Sequence, residues 1–256
     1  MAQAERLIQE AVLSAETDAW SFFLARARLE QIQKKRRESF KTEDQLAQYN
    51  REIKDFGQAV QKTQGERKER RSRESALKAS LEEEATPKKK RDDLKELYEM
   101  NPTNRVLLVN LSFYSAMDED WEQALAYIRT FLEKAGRQNS NQMTIGLLEA
   151  GIINYQGFSE RAKESLEAYA QRTRDPWYLT ISDYLLGKQT EDVLRKQGGE
   201  SPENLITSNA HLGFWAEGKR DQSKATKYYK EALESFLDTW LEYDFVKERL
   251  RKLKKP

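Results

Sequence analysis

The chain has no cysteine, one histidine, five prolines and eleven glycines in 256 residues. Without cysteine there is no disulfide framework, no thiolate metal site and no cysteine nucleophile, and the compartment stays open. A single histidine leaves metal and general-base chemistry short of partners, because such sites need converging His, Cys or carboxylate groups at defined spacing. No apolar run approaches a membrane span, and the start "MAQAERLIQEAV" lacks the build of a signal peptide. A cytoplasmic location is the expectation, with a lost export signal or a membrane anchor left open. No glycine-rich phosphate loop, nucleophile elbow or metal-binding helix motif occurs. Catalytic residues, a metal and a cofactor are therefore not expected, and carboxylate-only chemistry alone stays open. Nor does one sign of charge dominate: 44 Lys/Arg stand against 43 Asp/Glu, so no global field draws nucleic acid or a membrane.

What is present is charge and helix pattern. Charged residues make up 34% and hydrophobic ones 38%, a balance that favours elongated helical forms over a thick core. Residues 1–100 hold 22 Lys/Arg and 20 Asp/Glu but only 7 of the 26 aromatics and 2 of the 11 glycines. The first part reads as long helices with a thin apolar seam, the second as shorter helices broken by turns. Thr86-Pro87, Asn101-Pro102, Asp175-Pro176 and Ser201-Pro202 each place a capping residue before proline and predict helix starts. No stretch sustains strand alternation. The prediction is an all-α fold.

The apolar positions Leu7, Ile8, Val12, Ala15, Ala19, Phe22, Phe23 and Leu29 step by three and four and predict one helix over 4–37. Thr42 with Gln45 forms a capping box for a second, carrying Leu46, Tyr49, Ile53, Phe56 and Val60 on one face. Two long helices over 1–86 predict a hairpin or coiled coil, followed by a connecting helix at 87–100. The hairpin alone buries little, which predicts a homodimer or a fold-back onto the rest of the chain. Its basic stretch 62–73, with Lys62, Arg67, Lys68, Arg70, Arg71 and Arg73, is a candidate phosphate- or lipid-facing surface. Aromatics to stack bases are absent there, and a solvated helix face is the plainer reading. The acidic run 81–85 reads as pairing with nearby lysines.

The stretch "QEAVLSAETDAWSFFLARARLEQ", residues 9–31, resembles a helical segment of an uncharacterised bacterial membrane-protein family, mainly through Asp18-Ala19-Trp20 to Ala25. In that family the segment follows a membrane helix. The resemblance keeps membrane attachment open.

Residues 211–233, "HLGFWAEGKRDQSKATKYYKEAL", carry Leu212-Gly213, then Ala225, Tyr229 and Ala232. This spacing resembles the tetratricopeptide repeat, a two-helix unit of about 34 residues with small residues where its helices cross. Asn209, Ala216 and Leu237 depart from the family's Trp, Tyr and Pro. The stretches 111–132 and 149–170 place Ala124 with Ile128 and Phe131, and Ala162 with Leu166 and Tyr169, at like offsets, and a degenerate unit fits at 175–197. The resemblance implies an α-solenoid of about four helix pairs over 101–253, in a domain of 101–256, closed by a capping helix that carries Trp240, Phe245 and Leu250.

The resemblance further implies a concave groove for a peptide or helix, lined by Asn110, Phe113, Thr144, Asn154, Tyr155, His211, Phe214 and Glu217. His211 then reads as a groove-lining or half-buried residue, without catalytic or metal role. The carboxylates at 118–121 read as loop solubility. The leading expectation is a non-enzymatic interaction module or scaffold with a protein or peptide partner. The competing one is an assembly or tethering protein whose N-terminal coil dimerises or contacts an anionic surface, membrane or nucleic acid.

Overall fold

A computed structural model describes residues 2–14, 19–82, 85–134 and 141–254, without the side chains of 2, 14, 19–23 and 141–143. Among these residues there are thirteen α-helices and no strand. The chain divides into two compact units, 1–76 and 77–256.

The first unit holds α1 (Ala2–Ser14), α2 (Ala19–Arg37) and most of α3 (Glu43–Glu82). The predicted single helix over 4–37 is two helices. Glu5 of α1 bonds Arg36 of α2 across 31 residues, so the chain reverses and the pair is antiparallel. Thr17 and Asp18, residue types that favour an N-cap, precede Ala19; they and Ala15 lie outside the described residues, as do the side chains of Phe22 and Phe23. Folding back brings a narrow seam into contact with itself. Val12, Leu29, Tyr49 and Val60 become buried, with Leu46, Ile53 and Phe56 of the α3 stripe half-buried. Thr42 accepts from the Gln45 N–H, as the capping box requires.

The boundary lies inside α3 at Ala76, ten residues before the expected end of the first domain. The cause is the last turns of α3: Leu77 is buried, Leu81 packs against the second unit's core, and the Ser80 hydroxyl donates to Asp93. Asp93 belongs to α4 (Pro87–Met100), which packs on α5 through buried Leu94 and Leu97 and is part of that unit rather than a connector.

Four helix pairs follow: α5 (Val106–Met117) with α6 (Trp121–Lys134), α7 (Asn141–Tyr155) with α8 (Ser159–Ala170), α9 (Pro176–Leu185) with α10 (Glu191–Gly198), and α11 (Pro202–Gly218) with α12 (Gln222–Leu233). Thr86, Asp175 and Ser201 cap helices whose first turn begins with proline. Asn101-Pro102 does not start a helix: Asn101 terminates α4, donating its N–H to the Leu97 carbonyl, and α5 begins at Val106.

All four pairs turn the same way. Glu119, Gly157, Gly187 and Arg220 each sit at positive φ just past the first helix of their pair. At each, the next residue's N–H returns to a carbonyl five residues back: Asp120 to Ser115 (2.9 Å), Phe158 to Ile153 (3.1 Å), Lys188 to Asp183 (2.7 Å), Asp221 to Ala216 (3.0 Å). This is a Schellman C-cap, repeated four times. Glycine takes the left-handed position freely at 157 and 187, and Glu119 and Arg220 adopt it at some cost.

The pairs do not stack in simple succession. α11 packs directly on α7, and α9–α10 sits beside α7, α8 and α11. The last helix, α13 (Leu241–Leu253), packs on α12, the final helix of the four pairs, and also on α11 and α5. α5, α7, α11 and α13 thereby close in a cycle around Phe113, Phe214 and Phe245, whose rings meet edge to face at 5.7 and 5.2 Å. Every residue of α11 from Ile206 to Glu217 is buried. Close crossing needs bare backbone: a Cβ on Gly213 would lie 2.5 Å from the Tyr229 ring.

Candidate functional site: a closed interior and a lateral cleft

The closed cycle decides the fate of the expected groove. Phe113, Asn154, His211, Phe214 and Glu217 are buried, and only Asn110, Thr144 and Tyr155 are half-buried. The five are interior residues, with α13 packed on α5 and α11, two of the helices that were to face a ligand. Each polar one has an interior task or none. Asn154 donates to the Trp215 carbonyl at 2.9 Å and accepts from Ser159 at 3.0 Å. The Thr144 and Tyr178 hydroxyls bond at 2.7 Å.

Glu217 is half of the most buried ion pair among the described residues. Arg249 of α13, 1% exposed, donates Nε to Glu217 Oε2 at 3.1 Å and a second N–H to Oε1, and reaches Glu119 at 2.9 Å. The Tyr229 hydroxyl donates to the same carboxylate at 2.8 Å. The guanidinium lies over Trp121, Tyr155 and Phe214 at 5.6, 5.2 and 5.7 Å. Burial works against its charge, but the Glu217 carboxylate outweighs burial and raises its pKa. Burial likewise pushes Glu119 up, and Arg249 and Lys252 outweigh it and bring it below 4.5. The geometry satisfies both charges internally, so this is a fastening for α13 and not a ligand seat.

His211 has neither ring nitrogen hydrogen-bonded, and burial alone drives its pKa down to about 3. It is a neutral interior ring, 6.3 Å from Phe113. The half-buried groove position expected for it is corrected to full burial, like that of every residue of α11 from Ile206 to Glu217. Among the described residues no three His, Asp or Glu side chains gather as a metal cage would need.

One surface that can receive a ligand lies to the side. A cleft of about 430 Å³ runs between the end of α9 and the α11–α12 hairpin. Leu212, Trp215 and Ala216 come from α11, Tyr184 and Gln189 from α9 and its turn, and Lys219, Lys224 and Tyr228 from the hairpin. Tyr184 and Tyr228 share a hydroxyl–hydroxyl bond of 2.9 Å, Tyr228 donates to Glu191 at 3.0 Å, and Lys224 donates to Tyr184 at 3.2 Å. Lys219 lies over the Trp215 ring at 5.7 Å. Burial first, then Tyr184 and the Glu191 carboxylate, raise the Tyr228 pKa and keep the phenol neutral. Burial also pushes Glu191 upward, but bonds from Arg195 and Tyr228 outweigh it and lower it. The result is a cleft with buried Trp215 and Tyr228 at its floor, half-buried Tyr184 beside them and two exposed lysines at its edge. Sequence reading missed it because Tyr184 and Tyr228 meet only through the turn after α9. The one signal was aromatic density in 177–184 and 214–229.

The basic stretch forms no single patch. Lys62, Arg67, Lys68, Arg70, Arg71 and Arg73 all lie on α3, and at about 100° per residue they spread over about 240° of its circumference. Arg67 is taken up by the Leu13 carbonyl at 2.8 Å, where it closes the C-terminus of α1, and Lys62 faces Glu66 at 3.9 Å. Asp118 and Asp120, assigned to loop solubility, instead hold Arg91 at 3.0 and 3.2 Å, and Asp120 also caps α6. Among the described residues no helix is long and apolar enough to cross a membrane.

No family model matches this chain, and no curated protein matches it.

Proposed function

We propose that this chain is a non-enzymatic interaction module of tetratricopeptide-like helix pairs, which takes a peptide or helix of a partner protein in the lateral cleft. The repeat reading is supported by the four like turns at 119, 157, 187 and 220, spaced by 38, 30 and 33 residues, near the family's unit of about 34. Fully buried Ala124, Ala162 and Ala225 each follow their turn residue by five positions, and Asp192 takes that place in the degenerate third pair. The observation that carries the binding role is the cleft itself. Trp and Tyr beside positive rims are the residue types that dominate protein recognition energy. Its chemistry suits an apolar side chain against Trp215 with a neighbouring acceptor at Lys219 or Lys224.

A displayed peptide library panned on the full chain, followed by calorimetric titration of the best binder, tests this. Tyr184→Ala and Lys224→Glu are each expected to weaken it at least about tenfold, the size of a hot-spot loss. Unchanged affinity in both sinks the cleft assignment.

A second reading rests on exposed Leu7 (60%) and Leu24 (50%) in the first unit. Here the N-terminal helices assemble the protein as a homodimer or meet an anionic surface, with membrane attachment the further possibility and nucleic acid the weaker one. Light scattering on the full chain and on Leu7→Glu/Leu24→Glu tests the dimer: a dimer reduced to a monomer supports it, and a monomeric wild type removes it, while binding to anionic vesicles tests the surface contact.

A further inference from the structure

The second unit has another cleft, about 670 Å³, along one face of α13. Asp244, Lys247, Glu248, Arg251 and Lys252 line it at spacings of three and four, a single stripe of the helix. The other lining comes from Pro87, Lys88 and Lys90 at the start of α4 and from Tyr114 and Met117 of α5.

Its charges do not cancel. Asp244 accepts from the Tyr114 hydroxyl at 2.7 Å and pairs with Lys90 at 3.2 Å. Glu248 accepts from Arg251 at 2.8 Å, and Asp118 pairs with Arg91 at 3.0 Å. Lys252 turns to Glu119 at 3.4 Å. Every carboxylate of the lining is thus matched. Lys88 and Lys247 are exposed and have no carboxylate partner among the described residues; Lys247 only overlies the Tyr243 ring at 6.0 Å.

We propose that this cleft binds an acidic segment of a partner protein, whose carboxylates pair with Lys88 and Lys247. The stripe from 244 to 252 is about 12 Å long at 1.5 Å per residue, which matches three to four residues of extended chain at about 3.3 Å each. Half-buried Pro87 offers apolar contact to the stems of Glu side chains, over a floor of buried Tyr114 and Met117. A single phosphate fits this lining less well: the remaining cations are already paired, so no three converge on one tetrahedral anion. The proposal uses no residue of the lateral cleft, and either can fail without the other.

The test is fluorescence anisotropy of a labelled hexaglutamate peptide with the full chain, titrated at low ionic strength. Saturable binding is expected, weaker at about 0.15 M salt as surface charges are screened. Lys88→Glu/Lys247→Glu is expected to lose at least about tenfold in affinity, and the milder Lys88→Gln/Lys247→Gln to lose less. A control, Lys68→Glu/Arg71→Glu on α3, is expected to stay within about twofold because neither residue lines the cleft. Absence of binding, equal affinity in the cleft variants, or an equal loss in the control overturns the proposal. So does tripolyphosphate that displaces the peptide at lower concentration than unlabelled hexaglutamate, which marks a phosphate site instead. Both lysines are exposed; should the reversed pair fail to fold, the Gln pair decides: weaker binding supports the cleft, and unchanged binding overturns it.

Discussion

The two units use the same polar device in unlike surroundings. In the first, buried Glu5 accepts from Tyr49 at 2.7 Å and Arg36 at 2.6 Å, and Arg36 stacks on Tyr49 at 4.7 Å. In the second, Glu217 accepts from Tyr229 and Arg249, and Arg249 lies over three rings. The arginines differ: the Arg36 side chain is 28% exposed, that of Arg249 1%. Where few apolar residues are buried, the carboxylate clamp substitutes for a core and stays near water. Where aromatics surround it, the clamp fixes which helix closes the interior. The cost of a broken clamp depends on what water can then reach.

Removal of the Arg249 side chain should have the largest effect. Arg249→Ala leaves Glu217 buried without its cation and opens space beside Trp121, a loss of about 3–5 kcal/mol in the second unit. Urea unfolding followed by tryptophan fluorescence measures it; a loss near that of an exposed pair would erase the contrast between the units. Gly213→Ala comes next, at about 1–3 kcal/mol, because the Tyr229 ring is fixed by Glu217 and cannot yield to a Cβ. An unchanged midpoint would refute the close crossing of α11 and α12. Glu5→Ala should cost the first unit about 1–2 kcal/mol, less than Arg249→Ala, since water can re-solvate Arg36. Hydrogen exchange should then quicken in α1–α3 while 105–250 keeps its protection.

The smallest effect at neutral pH belongs to His211→Leu. Neither ring nitrogen is paired, so an apolar replacement of similar size should be neutral or slightly stabilising at pH 7. Its signature is pH dependence. The folded chain holds His211 neutral down to about 3, whereas an unfolded imidazole takes up a proton near 6.5. The unfolded state binds more protons between those values, so stability is complete above 6.5 and falls as pH drops, by at most about 1.4 kcal/mol per unit. Glu119 and Glu191, both held below 4.5, add stability that is fully present above that value and is lost only as pH falls beneath it. The wild-type minus His211→Leu difference should therefore slope between pH 6 and 4; a flat difference contradicts a buried neutral ring.

Much of this was legible in the sequence, and the remainder has physical causes. Thr86, Asp175 and Ser201 before proline, and the α3 stripe, marked helices through local chemistry alone. Glycine stands at two of the four left-handed turn positions, 157 and 187; Glu119 and Arg220 adopt the same conformation without glycine's signature. The reversal between α1 and α2 was hidden because the stripe from Leu7 to Leu29 keeps helical step across it. α13 was recognisable as an amphipathic helix, but periodicity names a face and not the partner that the face meets. Hence the inner surface seemed open when α13 fills it, and five expected groove residues are interior.

Recognition in the lateral cleft, as proposed, would leave the closed interior of the second unit undisturbed. Hydrogen exchange of the full chain, with and without the peptide selected on it, tests this directly. The account predicts slowed exchange in 184–191 and 212–228, with α1–α3 and the α5 and α7 inner helices unchanged. Protection confined to 106–117 and 144–155, with faster exchange in α13, would show a partner displacing that helix from the interior and would contradict the account.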